Sequence, residues 1–267
     1  MKRTVPGLLL AAMWLLLLIY GSVQLFWAVV LLIAFIGGRE YCRMVLDGQL
    51  YEPDRIVLPL IMILPVAAAL FSRQHELAAA FGFLLGLLGL IGYLLYHYRR
   101  FENPLSLLYR GVLGLVIIGY FASHLVLIRG LNDGAHWLII LSAVTAGTDT
   151  AAYLVGSAWG KRKLCPHISP NKTVEGALGG LAGGVIMALL LALVFTVQSS
   201  MAVIGCIALV LSIGSMVGDL LESIIKRGCG VKDSGTILGG HGGVLDRLDS
   251  MLLAGPLLYY MLIYLGF

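Results

Sequence analysis

The chain has 267 residues, of which 60% are hydrophobic and 12% charged, with a formal net charge of +4. That composition excludes an ordinary soluble domain, in which about 25% of residues are charged, and the modest net charge carries no basic stripe suited to nucleic acid. The four cysteines, at positions 42, 165, 206 and 229, lack CxxC spacing, which excludes a zinc ribbon or a disulfide framework and leaves them as small apolar residues.

The opening MKRTVPGLLLAAMWLLLLIY has the basic and apolar parts of a signal peptide without a small-x-small cleavage site, so it reads as a retained first helix. A bilayer crossing needs about 20 mainly apolar residues, because unpaired backbone groups are costly in hydrocarbon. Nine stretches meet or approach that requirement: 5–21, 22–38, 56–72, 77–96, 107–129, 135–156, 177–197, 201–224 and 251–267. The expected fold class is therefore an all-α polytopic membrane protein of about nine transmembrane helices. With a cytoplasmic N-terminus, sixteen of the Lys and Arg residues fall inside and only Arg73 and Arg129 outside. This bias orients the chain and places both long polar segments, 156–176 and 223–250, on the cytoplasmic side of an inner or plasma membrane. The expected organisation is an N-terminal helical region, 1–130, followed by a catalytic region, 131–267.

Carboxylates in such a setting call for a partner, a metal or water. Asp149 lies within the sixth span, and Asp219 and Glu222 lie near the cytoplasmic end of the eighth. Asp219 shares a helical face with Glu222 and Ser223, and Asp246 and Asp249 repeat the three-residue interval at the start of the ninth span. Two such pairs at one membrane face form an oxygen-rich site suited to Mg²⁺, whose hard chemistry favours carboxylates, waters and phosphate oxygens. The plainer alternative is interfacial ion pairing with Lys226, Arg227 and Arg247.

The polar segments point to phosphate. Lys226, Arg227 and Lys232 supply positive charge among the glycines of SIIKRGCGVKDSGTILGGHGGVLDRLDS, which permit close backbone approach. No P-loop is present, and a dinucleotide fold lacks its strand-helix context. His241 is suited to donating to phosphate, carrying a proton near neutrality or bracing the loop. In the earlier segment, Lys161, Arg162 and Lys163 serve as a positive-inside anchor, whereas Lys172 in ISPNKTVEG is the more pointed phosphate candidate: Ser169-Pro170 begins a turn, and Glu175-Gly176 leads into the seventh helix. His124 and Trp159 read as helix and interface residues.

The long C-terminal segment resembles the signature of the membrane phosphatidate cytidylyltransferases, or CDP-diacylglycerol synthases: a serine before a Lys-Arg pair, then Lys-Asp-x-Gly, His-Gly-Gly and Asp-Arg-x-Asp. Ser223, Lys226, Arg227, Lys232, Asp233, Gly235, His241, Gly242, Gly243, Asp246, Arg247 and Asp249 occupy those positions. The stretch TDTAAYLVGSAWGKRKLCPHISPNKTVEG is similar to a second family segment, with Thr148 where the family often has Asn and Asn171 where it often has Lys. The resemblance implies Asp219 and Asp246 as the principal metal-binding carboxylates. Ser223, Lys226, Lys232, Asp233, His241 and Asp249 would complete the catalytic region, and Lys172, Lys226 and Arg227 would bind the nucleotide. It further implies Mg²⁺ as cofactor, CTP and phosphatidic acid as substrates, and CDP-diacylglycerol and pyrophosphate as products.

Two other functions are compatible with acids at helix ends: a membrane transporter, for which no internal repeat is visible, and a CTP-dependent polyprenol or phytol kinase, which would release CDP. Small-residue faces suit helix packing within a subunit or in a homodimer.

Overall fold

The computed structural model describes residues 4–46, 51–71, 75–195, 199–237 and 242–267. The described chain is helical apart from single 3₁₀ turns, a π-helical turn and one two-stranded hairpin. Among the described residues six helices are long and apolar enough to cross a membrane: Val23–Val45, Leu77–Tyr96, Pro104–Arg129, Gly134–Trp159, Val174–Val194 and Met201–Gly228. Nine spans were expected, and the difference has local causes. The stretch 56–72 breaks into α3, Asp54–Met62, and α4, Leu64–Ala68, nine and five residues long. Pro59 lies within α3 and Pro65 opens α4; proline removes an amide donor and crowds the preceding turn. The first and last helices, α1 (Thr4–Tyr20) and α11 (Asp249–Leu265), have 17 residues each. At 1.5 Å per residue each reaches about 26 Å, short of the ~30 Å hydrocarbon thickness.

Contacts divide the chain into two compact units. The first comprises residues 1–131 and 229–247. Its axis is α2, Val23–Val45, which begins where Ser22 accepts a hydrogen bond from the Leu25 amide at 3.1 Å. α2 continues past the expected end at 38, so Arg39, Glu40 and Arg43 are helical rather than in a loop. At its far end, Arg110 donates to the Val45 carbonyl at 2.8 Å, and Tyr41 donates to the Arg110 carbonyl at 2.8 Å. These bonds tie α2 to α6, Pro104–Gly114. The chain passes from α6 through a π-helical turn, Leu115–Phe121, to α7, Ala122–Arg129. Asp54, at the start of α3, is 2% exposed and pairs with Arg100 and with the hydroxyl of Tyr93 on α5, His75–Tyr96. It also accepts from the Tyr51 amide at 2.8 Å.

The second unit comprises residues 132–228 and 248–267. Here α8, Gly134–Trp159, lies against α9, Val174–Val194, along a face of small residues. A Cβ on Gly176 would sit 2.8 Å from the Ala152 carbonyl oxygen, so the helices meet at a separation that a side chain would prevent. α10, Met201–Gly228, packs on α9 and on α11. Between α8 and α9 the polar segment folds into an antiparallel hairpin, β1 (Lys163–Cys165) and β2 (Ser169–Thr173), with Lys163 opposite Thr173 and Cys165 opposite Ser169. The all-α expectation holds for the bilayer part and fails for this hairpin.

Candidate functional site

The second unit contains an open pocket of about 480 Å³. Asp149, Tyr153 and Ser157 contribute from α8, Ser169, Asn171 and Lys172 from β2, and Asp219 from α10. The hairpin is anchored by the start of α9. Thr173, 7% exposed, caps that helix by accepting from the Gly176 amide at 3.1 Å. Glu175 in the first turn accepts from the amides of Lys161 and Arg162 at 3.0 and 3.1 Å. With β2 held at both edges, the neighbouring Lys172 projects across the pocket and its Nζ lies 2.6 Å from Asp219 Oδ2. Ser223, one turn along α10, donates to Asp219 Oδ1 at 3.5 Å.

Further acids surround this pair. Asp149 lines the same pocket and lies in the electrostatic field of Asp219, Asp249 and Lys172. Asp249 lies in the field of Asp219 and Lys226 and accepts from the Ser250 amide at 2.6 Å. Lys226 Nζ in turn lies 3.2 Å from Glu222 Oε2, with both side chains largely buried. Carboxylates and lysines from β2, α10 and the start of α11 thus gather in the second unit, with Lys172 and Asp219 lining a cavity of the size that takes a small ligand.

The first unit carries the remainder of the signature. Lys232 and Asp233 are exposed. Asp246 is half-buried, and its Oδ2 accepts from the amides of Ser234 and Gly243 at 2.9 and 2.8 Å. Gly242 has a φ of +78°, a backbone conformation that favours glycine, and a Cβ there would lie 2.5 Å from Asp246 Oδ2. Arg227 is exposed in the last turn of α10, and His241 lies outside the described residues.

Sequence reasoning missed Glu40. It is 2% exposed, and its Oε2 accepts from the Leu245 amide at 3.0 Å and from Ser234 Oγ at 3.4 Å. The available signal was a carboxylate in the run GGREYC directly after an apolar stretch, which ending the span at 38 had assigned to a loop.

Among the described residues no group of three or more His, Cys, Asp or Glu side chains is arranged to hold a metal ion. Mg²⁺ is usually bound through one or two carboxylates, waters and substrate phosphates, not by an all-protein cage. The donor chemistry around Asp219, hard carboxylate oxygens beside a cavity, fits that mode of binding.

The model of the cytidylyltransferase family matches residues 1–265. A phosphatidate cytidylyltransferase of Bacillus subtilis is 44% identical over 155 residues, 56% of each chain. One from Staphylococcus saprophyticus is 36% identical over 236 residues, 87% of each chain. A third, from Brucella suis, is 48% identical over 147 residues, 55% of this chain and 54% of the relative. The aligned segments thus span about half the length of the Bacillus and Brucella proteins and most of the Staphylococcus one.

Proposed function

We propose, from the premise that this chain belongs to the cytidylyltransferase family, that it transfers the cytidylyl group of CTP to phosphatidic acid, releasing pyrophosphate and forming CDP-diacylglycerol. The observation that carries this reading is the Lys172–Asp219 pair, 2.6 Å apart in an open cavity of about 480 Å³. The pair sets an ammonium suited to phosphate beside a carboxylate suited to a hard cation, each neutralising the other.

In the reaction an oxygen of the lipid phosphate attacks the α-phosphorus of CTP, and the bond from that phosphorus to the pyrophosphate oxygen breaks. The nucleophile is already anionic, so no protein nucleophile or general base is required. The protein's task is to align two mutually repelling phosphates and offset the charge that develops between them. Lys172, on leaving Asp219, pairs with the triphosphate. Lys226 and Lys232 add positive potential, and Arg227 adds its charge at the helix end. Ser223 orients the Asp219 carboxylate, Glu222 holds Lys226 by ion pairing, and Asp249 adds its carboxylate at the start of α11. Asp219 and Asp246 are the carboxylates that would hold Mg²⁺, which would supply Lewis-acid stabilisation of the phosphate charge. Asp233 and His241, also in the signature, are assigned to the same catalytic group.

The assigned residues all fall within 131–267, the catalytic region, with 1–130 as the N-terminal helical region. The Lys and Arg residues of the hairpin and signature support a cytoplasmic site, and Lys2 and Arg3 support a cytoplasmic N-terminus in a plasma or inner membrane.

The test is incubation of purified protein with phosphatidic acid and each nucleoside triphosphate in turn, with both products identified. CDP-diacylglycerol and pyrophosphate, formed from CTP, are expected. Release of CDP with a phosphorylated lipid would instead identify a kinase, and substrate flux across proteoliposomes without pyrophosphate would identify a transporter.

A further inference from the structure

We infer that Glu40, in the last turns of α2, is a positioning residue that holds the signature segment in its working shape, acting on Asp246 through Ser234 and Leu245. This inference rests on the cytidylyl-transfer reading and adds to it a residue nearly 200 positions away in sequence. Ser234 is held from two sides: its amide donates to Asp246 Oδ2 at 2.9 Å, and its hydroxyl donates to Glu40 Oε2 at 3.4 Å. The same Glu40 oxygen accepts from the amide of Leu245, the residue next to Asp246, at 3.0 Å. Two carboxylates therefore hold the backbone of 234, 243 and 245, and the contacts of Glu40 reach across most of the chain.

The spacing around Glu40 shows that the turn is built around this carboxylate. A Cβ on Gly235 would lie 2.5 Å from Glu40 Oε1, and one on Gly243 would lie 2.5 Å from Oε2. Only residues without a side chain allow the loop to close this tightly on the acid. Glu40 is 2% exposed, and its second oxygen, Oε1, is buried without a hydrogen-bond partner among the described residues. Burying a carboxylate with one oxygen unanswered is costly for a group whose only role is packing. The arrangement persists because the other oxygen organises the turn that presents Asp246, as outer hydrogen-bond partners orient ligating groups at metal sites.

The glutamine variant separates this role from a generic core defect. In Glu40→Gln, an amide oxygen at the Oε2 position still accepts from Leu245 and Ser234, and the amide nitrogen takes the place of Oε1. In Glu40→Ala both acceptors are lost. Two measurements are made on full-length purified protein: kinetics with titrated Mg²⁺ and CTP, and amide hydrogen exchange of peptides spanning 231–247. Glu40→Ala is expected to raise half-saturating Mg²⁺ by about 10- to 100-fold, the usual effect of losing an outer partner of a ligand. It should leave the KM for phosphatidic acid close to wild type and speed exchange in 231–247 while α8 and α9 exchange as before. Glu40→Gln should recover most of both effects.

Wild-type Mg²⁺ dependence and exchange in Glu40→Ala would overturn the inference, as would a glutamine variant as impaired as the alanine one. If Glu40→Ala does not fold, Ser234→Ala removes one contact of the latch and carries the same expectation at smaller size; wild-type behaviour there overturns the inference equally. If the wild-type protein makes no CDP-diacylglycerol, the functional reading fails, whereas the exchange measurement still decides whether Glu40 holds the turn.

Discussion

Replacing Lys172 with methionine tests the central exchange of partners. Lys172 Nζ and Asp219 Oδ2 are 2.6 Å apart, with side-chain exposures of 29% and 27%. At an effective dielectric of ~20, unit charges at that separation attract by roughly 6 kcal/mol before desolvation and side-chain ordering are subtracted. The net value of a hydrogen bond between charged groups is about 1.5–3 kcal/mol. In the free protein Lys172 faces one carboxylate, and in the reacting complex it faces a polyanionic triphosphate. The lysine is therefore worth more in the complex by about one such interaction, and its loss should lower kcat/KM for CTP by about 10- to 150-fold.

The Mg²⁺ dependence gives the decisive sign. Without Lys172, Asp219 loses the cation that competes for its oxygen, so half-saturating Mg²⁺ should stay level or fall in Lys172→Met. In Asp219→Asn the carboxylate itself is gone, and half-saturating Mg²⁺ should rise. The assay is product formation from labelled CTP in detergent or nanodiscs, with CTP and Mg²⁺ varied independently. If Lys172→Met leaves kcat/KM for CTP unchanged, or raises the Mg²⁺ requirement as Asp219→Asn does, the reasoning fails.

Asp54→Ala leaves the Arg100 guanidinium beside a vacated acid site in a largely buried setting; the loss of one partner from such a pair costs about 3–5 kcal/mol, and thermal unfolding in detergent should show a correspondingly large drop. Thr173→Ala removes the α9 cap, costing about 1 kcal/mol of stability, and because Thr173 adjoins Lys172 it should also lower kcat/KM for CTP; unaltered kinetics would separate the cap from the site. In a background lacking the cysteines at 42, 165, 206 and 229, Lys163→Cys should react with an impermeant maleimide from the cytoplasmic face and Asn132→Cys from the opposite one. Labelling of both from the same side would contradict a crossing by α8.

What the sequence disclosed depended on whether the signal was local. Apolar runs long enough to span a bilayer were visible because hydrocarbon imposes its requirement residue by residue, and Val174–Val194 and Met201–Gly228 appear close to where composition placed them. Lys172 stood out because the residues beside it, Ser169-Pro170 and Glu175-Gly176, mark a turn and a helix start, and the helix does begin at Val174. The break between α3 and α4 was also written in Pro59 and Pro65, but an average over apolar content passed over it. The β-hairpin had no alternating pattern to announce it, since a two-stranded ribbon at a polar edge has no buried face. Partnerships across the chain were silent: Lys172 with Asp219, 47 residues apart, and Glu40 with Leu245, 205 apart, are products of packing that no local period encodes.

The pairing pattern explains how a mainly apolar protein keeps so many acids at one site without a bound ligand. Asp219 is answered by Lys172, and Glu222 by Lys226. These two carboxylates therefore meet a cation within the protein, which offsets part of the desolvation cost of an isolated charge. On the proposed reading, a cation held by Asp219 would release Lys172 to a phosphate of the nucleotide, so that each charge would keep a partner. Metal without nucleotide would leave Lys172 unanswered, and nucleotide without metal would leave Asp219 so. Strong mutual dependence between Mg²⁺ and CTP is therefore the expected outcome, measurable as a fall in the apparent dissociation constant of each when the other is saturating; independent binding of the two would refute this charge balance.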